Sequence, residues 1–207
     1  MTSSRTLVIK IDPDKPDKDV IAYSAGVIRN GGIVAFPTET VYGLAANLLD
    51  DKAVEKLYSI KSRPRGKPFT VHIADVGLIK RMGCRLTRSA ERLIKKFWPG
   101  PLTIILKSRN GKPVGFRMPA NAAALELISA SGVPVVAPSA NISGRRPPTS
   151  ARGALKDLDG KIDIVLDAGR TKVGRESTVI DITASPPVIL RKGAISSRVL
   201  RKALNSK

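Results

Sequence analysis

Short apolar runs alternate with amphipathic stretches along the whole 207-residue chain, and no linker, repeat or low-complexity tract divides it. A strand has to bury one face and an amphipathic helix one stripe. A sheet with helices packed on it satisfies both, so the pattern predicts a single α/β domain. Strands are expected at residues 6–11, 33–36, 69–73, 102–107, 114–117, 133–137, 162–167, 178–182 and 188–191. Helices are expected at 17–30, from Asp50 or Asp51 onward, at 87–97, at 121–131 and from about Ser196. The first should bury Val20, Tyr23, Val27 and Ile28 and close at Gly31-Gly32, and the second should bury Val54, Leu57 and Tyr58. Trp98-Pro99-Gly100-Pro101 must end the helix before it, because proline cannot continue a helix. Asn110-Gly111 is a hairpin turn. The strand count points to a large mixed sheet, in an order that the sequence does not specify.

Composition narrows the chemistry. Cys84 is the only cysteine and His72 the only histidine. An internal disulfide, a cysteine-built zinc site and a multi-histidine metal or catalytic cluster are therefore excluded. The first ten residues are too polar for a secretory segment, and no apolar run approaches the roughly 20 residues of a membrane span. A reducing cytoplasm without membrane contact is the expected setting. Lysine and arginine outnumber the acids 36 to 17, for a net charge of +19. That excess suits nucleotide phosphates or RNA, and it also suits plain solubility.

Four polar segments follow apolar runs, the position at which open α/β sheets present ligand crevices. They are residues 37–43 (PTETVYG), 61–67 (KSRPRGK), 138–141 (PSAN) and 176–178 (EST). The second carries four cations in seven residues. Such a loop can wrap a triphosphate or can simply be a solvated helix end. Ser139 and Asn141 can donate to phosphate oxygens or cap a turn. Thr38, Glu39 and Thr40 could meet a zwitterion, with Arg117 on its carboxylate. His72, alternating with Val71 and Ile73, reads from its strand alone as a structural donor. Residues 169–174 have the glycine spacing of a Walker A loop, but Arg175-Glu176 stands where Lys-Ser/Thr is required, so that motif is rejected.

Taken together and in order, Pro37-Thr38-Glu39-Thr40-Val41-Tyr42-Gly43-Leu44, Lys61-Ser62-Arg63-Pro64, Phe97-Trp98-Pro99-Gly100-Pro101-Leu102-Thr103, Phe116-Arg117-Met118-Pro119, Ala137-Pro138-Ser139-Ala140-Asn141, Glu176-Ser177-Thr178 and Leu190-Arg191-Lys192-Gly193 resemble the YrdC family of threonylcarbamoyl-AMP synthases. The likeness covers about residues 15–195 of a single domain taken as 1–207. It implies a twisted sheet with a concave basic face. It also implies a reaction in which L-threonine, bicarbonate and ATP give threonylcarbamoyl-AMP, which feeds threonylcarbamoyladenosine formation in tRNA through a downstream transfer complex. By position, the resemblance puts Thr40, His72, Arg117, Ala137 (through its backbone) and Ser177 around threonine. It puts Lys61, Arg63, Lys67, Ser139, Asn141 and Arg191 around ATP. Pro113 and Pro147 depart from the family pattern, so any ATP contacts at both places are expected through backbone carbonyls rather than side chains.

These residue types suit that chemistry. An amine and CO2 form a carbamate readily, so the harder step is attack of the carbamate on the α-phosphorus. Phosphoryl-type transfer depends mostly on positioning and charge stabilisation. Lys61 and Arg63 are the expected catalytic cations, with magnesium arriving on the ATP phosphates and no organic cofactor. The rival reading is a non-catalytic protein that binds tRNA or double-stranded RNA through backbone electrostatics. A metal-dependent hydrolase is disfavoured by the lone histidine.

Overall fold

The computed structural model describes residues 5–205, so residues 1–4 and 206–207 of the expected domain lie outside the described residues. In chain order the elements are β1 (Leu7–Lys10), α1 (Lys18–Arg29), β2 (Val34–Phe36), β3 (Gly43–Asn47), α2 (Asp51–Lys61), β4 (Val71–His72), α3 (Gly77–Arg81), α4 (Arg88–Phe97), β5 (Leu102–Lys107), β6 (Pro113–Arg117), α5 (Ala122–Ser131), β7 (Val135–Val136), α6 (Ala151–Leu158), β8 (Ile164–Asp167), β9 (Thr178–Asp181), β10 (Val188–Arg191) and α7 (Ser197–Asn205). The helix starts follow from their caps. Asp17, Asp50, Thr87, Asn121 and Ser150 each accept a backbone N–H of the first turn.

The strands form one 10-stranded sheet in the order β1-β8-β2-β3-β7-β4-β6-β5-β9-β10. Pairings β1–β8, β2–β8, β4–β6 and β5–β9 are parallel and the others antiparallel, so the sheet is mixed. Side-chain alternation divides it into two faces. Ala35, Leu44, Val71, Leu102, Ile104, Phe116, Val136 and Ile180 point to a core that includes residues of α2, α3, α4, α6 and α7. Val34, Phe36, Ala45, Val135, Ile164 and Leu166 point the other way, into a smaller core closed by α1 and α5. This second core draws no residue from β4, β5, β6, β9 or β10. On those five strands the side chains opposite the main core are left for other work.

The expected helices and strands all occur, and the differences from expectation have physical causes. α1 buries Ile21, Ser24, Ala25 and Ile28, while Tyr23 is exposed, so its core face is turned from the expected one. Small residues let α1 and α5 approach closely, and an aromatic-weighted reading of the stripe points the wrong way. α2 buries Ala53, Leu57 and Lys61, leaving Val54 and Tyr58 half-buried. The strands expected at 69–73 and 133–137 shrink to two residues each, because Phe69 and Ala137 belong to loops at the site. Strand β3 was not expected, since Gly-Leu-Ala-Ala-Asn has weak strand propensity, yet all five of its residues are buried. The short α3 and α6 were not expected either.

Positive charge also lies on the outside of the main-core helices. α4 and α7 together hold seven cations and one acid, whereas α1 and α5 hold two of each.

Phe116 is fully buried on a central strand. Phe116→Ala should cost about 3–5 kcal/mol of stability in urea denaturation, with the baseline slopes of the transition retained.

Candidate active site

The open face of β4, β6 and β5 places His72, Arg117 and Thr103 side by side, because each alternates with core residues on its own strand. Register carries them together: His72 is opposite Arg117, and Ile104 is opposite Phe116, which sets Thr103 beside Arg117. Beyond the sheet edge, the turn after β10 folds back over residues 176–178. Ala194 N–H donates to Glu176 O at 2.9 Å and Gly193 N–H to Thr178 Oγ1 at 3.1 Å. A side chain at Gly193 would begin 2.3 Å from the Ser177 carbonyl carbon, so only glycine admits this approach.

Two adjoining cavities result. The smaller, about 130 Å³, is lined by residues that include His72, Arg117, Ala137, Ser139, Ser177 and Arg191. The larger, about 420 Å³, is a groove that includes Lys67, Gly115, Pro113, Val179 and Leu190. Arg63, Thr70, Thr103 and Arg191 are among the residues that line both.

Arg117 is buried, and its Nη2 lies 2.9 Å from Glu39 Oε1, itself buried. The pair is held by charge rather than by an aligned hydrogen bond, since both Glu39 oxygens lack a hydrogen-bond partner. The same Nη2 donates to Thr40 Oγ1 at 2.7 Å. Thr38 has already given its hydroxyl proton to Val41 O, so Thr40 donates to Thr38 Oγ1, 2.9 Å away. His72 packs edge-on to Phe36 with ring centroids 6.3 Å apart, and its Nδ1 is buried without a partner. Burial, with Arg117's charge adding to it, pulls the imidazole down to about 3. The ring is therefore neutral at physiological pH.

Arg191 is held on three sides. Its Nε donates to Ser177 O at 3.0 Å, Nη2 to Ser177 Oγ at 2.9 Å and Nη1 to Glu176 Oε1 at 2.5 Å. Ser177 Oγ is also 2.9 Å from Thr103 Oγ1. Arg63 donates from Nε to Lys67 O and from Nη2 to Pro68 O, with its guanidinium 5.3 Å from the Phe69 ring centroid. Ser62, in the left-handed region at φ 48°, turns the chain between Lys61 and Arg63.

That turn gives the two cations different positions. Lys61 is 2% exposed, and its Nζ donates to Ser139 O at 2.5 Å and Asn141 O at 2.6 Å. Burial, with Arg63's charge adding to it, lowers its pKa to about 8. Lys61 lines neither cavity and ties down the 139–141 loop from beneath. Asn141 Nδ2 is likewise used locally, donating to Ile142 O and Arg145 O. The sequence placed Lys61 and Asn141 at the ligand, whereas here both shape the loop that carries Ser139. Pro113 lines the groove and Pro147 does not. The Walker-like loop lies elsewhere, against Glu39, in a separate cleft of about 430 Å³. Thr103 was given no role by sequence, although its alternation with Leu102 and Ile104 was the signal that exposed His72.

A family model described as "Sua5_yciO_yrdC: Telomere recombination" matches residues 26–193. The threonylcarbamoyl-AMP synthase of Pyrococcus abyssi is 43% identical over 208 residues, 96% of this chain and 61% of that protein. A crystal structure of P. abyssi Sua5 complexed with L-threonine matches with a TM-score of 0.92 at 42% identity, over 97% of this chain and 61% of that one. A putative threonylcarbamoyl-AMP synthase of Methanocaldococcus jannaschii is 38% identical over 192 residues, 89% of this chain and 91% of that protein. The chain thus spans about three fifths of the length of the Pyrococcus relative.

His72 gives a sharp test because it is the only imidazole. The unfolded chain takes up a proton near pH 6.5, whereas the folded ring resists to about 3. The contribution of His72 to stability is therefore present above about pH 6.5 and is lost as pH falls from there towards 3. Nuclear magnetic resonance of the folded protein should show an uncharged ring at pH 5. His72→Gln should flatten the acid limb of the stability curve by about one proton.

Proposed function

The chain belongs to the Sua5/YciO/YrdC family, and on that premise we propose that it is a threonylcarbamoyl-AMP synthase. The reaction joins L-threonine, bicarbonate and ATP into L-threonylcarbamoyladenylate, releasing pyrophosphate and water, and classes the protein as a nucleotidyltransferase. One observation carries the reading. A small polar cavity and a larger groove with a cationic rim share a wall that includes Arg63, Thr103 and Arg191. An amino acid fits the first and a nucleotide the second, so the two reacting ends meet at that wall.

In this assignment the small cavity receives threonine. Arg117, fixed by Glu39 and Thr40, takes the carboxylate, and neutral His72 together with Ser177 and the Ala137 backbone surround the remaining polar groups. A buried guanidinium held by fixed acceptors needs little reorganisation when the ligand arrives. Threonine's amine combines with bicarbonate to form a carbamate, with loss of water. A carbamate oxygen then bonds to the α-phosphorus, and the bond to pyrophosphate breaks. Arg63 and Lys67 on the groove side, with Arg191 at the wall, offset the charge that moves to the leaving group. Ser139 lines the small cavity, from where it can meet phosphates that reach past the shared wall, Asn141 shapes the same loop, and Lys61 acts by holding its carbonyls. Magnesium arrives as part of the MgATP substrate, coordinated mainly by phosphate and water. The adenylate is then passed to a complex that modifies tRNA.

RNA contact is a second role favoured by one observation, the seven cations against one acid on α4 and α7. These helices pack on the sheet face opposite the two cavities, so RNA bound there would leave the catalytic face open. Binding of a tRNA duplex should weaken steeply with salt, and charge reversal on α4 should reduce that slope without altering pyrophosphate release.

Purified protein incubated with threonine, bicarbonate and MgATP should yield the adenylate by mass spectrometry and stoichiometric pyrophosphate. Serine, lacking one methyl, should react with a kcat/KM lower by roughly 10-fold or more. Arg63→Ala should lose at least about 2 kcal/mol of transition-state stabilisation, roughly 30-fold in rate. Near-normal pyrophosphate release by that variant would remove Arg63 from the mechanism, and absence of adenylate from the unaltered protein would remove the activity.

A further inference from the structure

Thr103 stands where the two cavities join. Leu102 and Ile104 on either side of it in β5 are fully buried in the main core, so strand alternation turns Thr103 to the open face. It is 2% exposed and lines both the small cavity and the groove. Among the residues shared by the two, it is the one whose hydroxyl is bonded to Ser177.

Either hydroxyl can donate in that bond, and the donor beside it leaves Thr103 open as the acceptor. Arg191 can only donate, and its Nη2 occupies one lone pair of Ser177 Oγ at 2.9 Å. Ser177's own proton can then pass to Thr103 Oγ1, 2.9 Å away. With Ser177 as the donor, Thr103 has its proton free for an acceptor at the junction. Arg191 makes two further bonds, to Ser177 O and Glu176, so the chain of donors starts from a cation held at three atoms although partly open to solvent. A guanidinium held this way orients both hydroxyls before any ligand arrives.

We propose that Thr103 is a catalytic residue that donates its hydroxyl hydrogen bond to the α-phosphoryl oxygen at which the two substrates meet. The assignment rests on the adenylate-forming reaction inferred above. In that step the carbamate oxygen bonds to the α-phosphorus, the bond from phosphorus to the departing oxygen breaks, and pyrophosphate leaves with the electron pair. Charge concentrates on the α-phosphoryl oxygens while the transfer is under way. Thr103 stabilises it with a hydrogen bond and keeps its proton throughout.

Thr103→Val tests this, because valine matches threonine in shape and suits a strand. Its kcat should fall about 100-fold, with the KM for threonine and for ATP nearly unchanged. Thr103→Ser, which keeps the hydroxyl, should restore most of the rate. A valine variant with kcat near that of the unaltered protein overturns the proposal. So does one that raises the threonine KM alone, since Thr103 would then serve only to support Ser177. If valine fails to fold, Thr103→Ala against Thr103→Ser makes the same comparison. Activity of the unaltered protein is measured in the same series. Its absence sinks the adenylate reading itself, whereas an active parent with an equally active valine variant sinks only the role of Thr103.

Discussion

Helix coverage is the constraint on which the rest depends. One face of the ten-stranded sheet meets residues of five helices, and the smaller core on the other is closed by α1 and α5 alone. A strand with apolar residues on one side and no helix on the other has every second side chain free to be polar. β4, β5 and β6 use that freedom for His72, Thr103 and Arg117, and β10 adds Arg191. The same alternation that anchors Val71, Leu102, Ile104 and Phe116 in the core therefore lines up the site. Stability and chemistry share strands here.

Buried charge is the second organising element. Arg117 with Glu39 and Lys61 with two carbonyls are taken out of water at a cost that only close partners offset. The two cases differ in what they leave for a ligand. Arg117 lines the small cavity, and its Nε has no partner. Lys61 is enclosed by the backbone it supports. A cation in a sequence motif can thus act on substrate or on the loop that meets substrate, and burial distinguishes the two.

Much of this was legible in the sequence, for reasons that can be assigned. Caps and turns marked the ends of the long helices, and apolar runs marked all strands but β3, whose small residues carry little strand signal. The motifs point to His72, Arg117, Ser139, Ser177, Arg63 and Arg191, and all six line one cavity. Lys67 lines the groove beside it. The direction of Lys61 was not legible, because it hangs on the left-handed Ser62, a conformation that serine rarely adopts. Strand order was beyond reach as well, since β4 pairs with β6 and β7 across long stretches of chain. Thr103 was within reach, hidden only by being one hydroxyl in an apolar run.

Gly193 closes the turn that brings the end of β10 onto Glu176 and Ser177 with backbone against backbone. Because no atom intervenes, a side chain at this position would hold the end of β10 away from Ser177. The outer rim of the sheet thus reaches the cavity through a contact that admits no Cβ, and position 193 would return glycine alone from a randomised library.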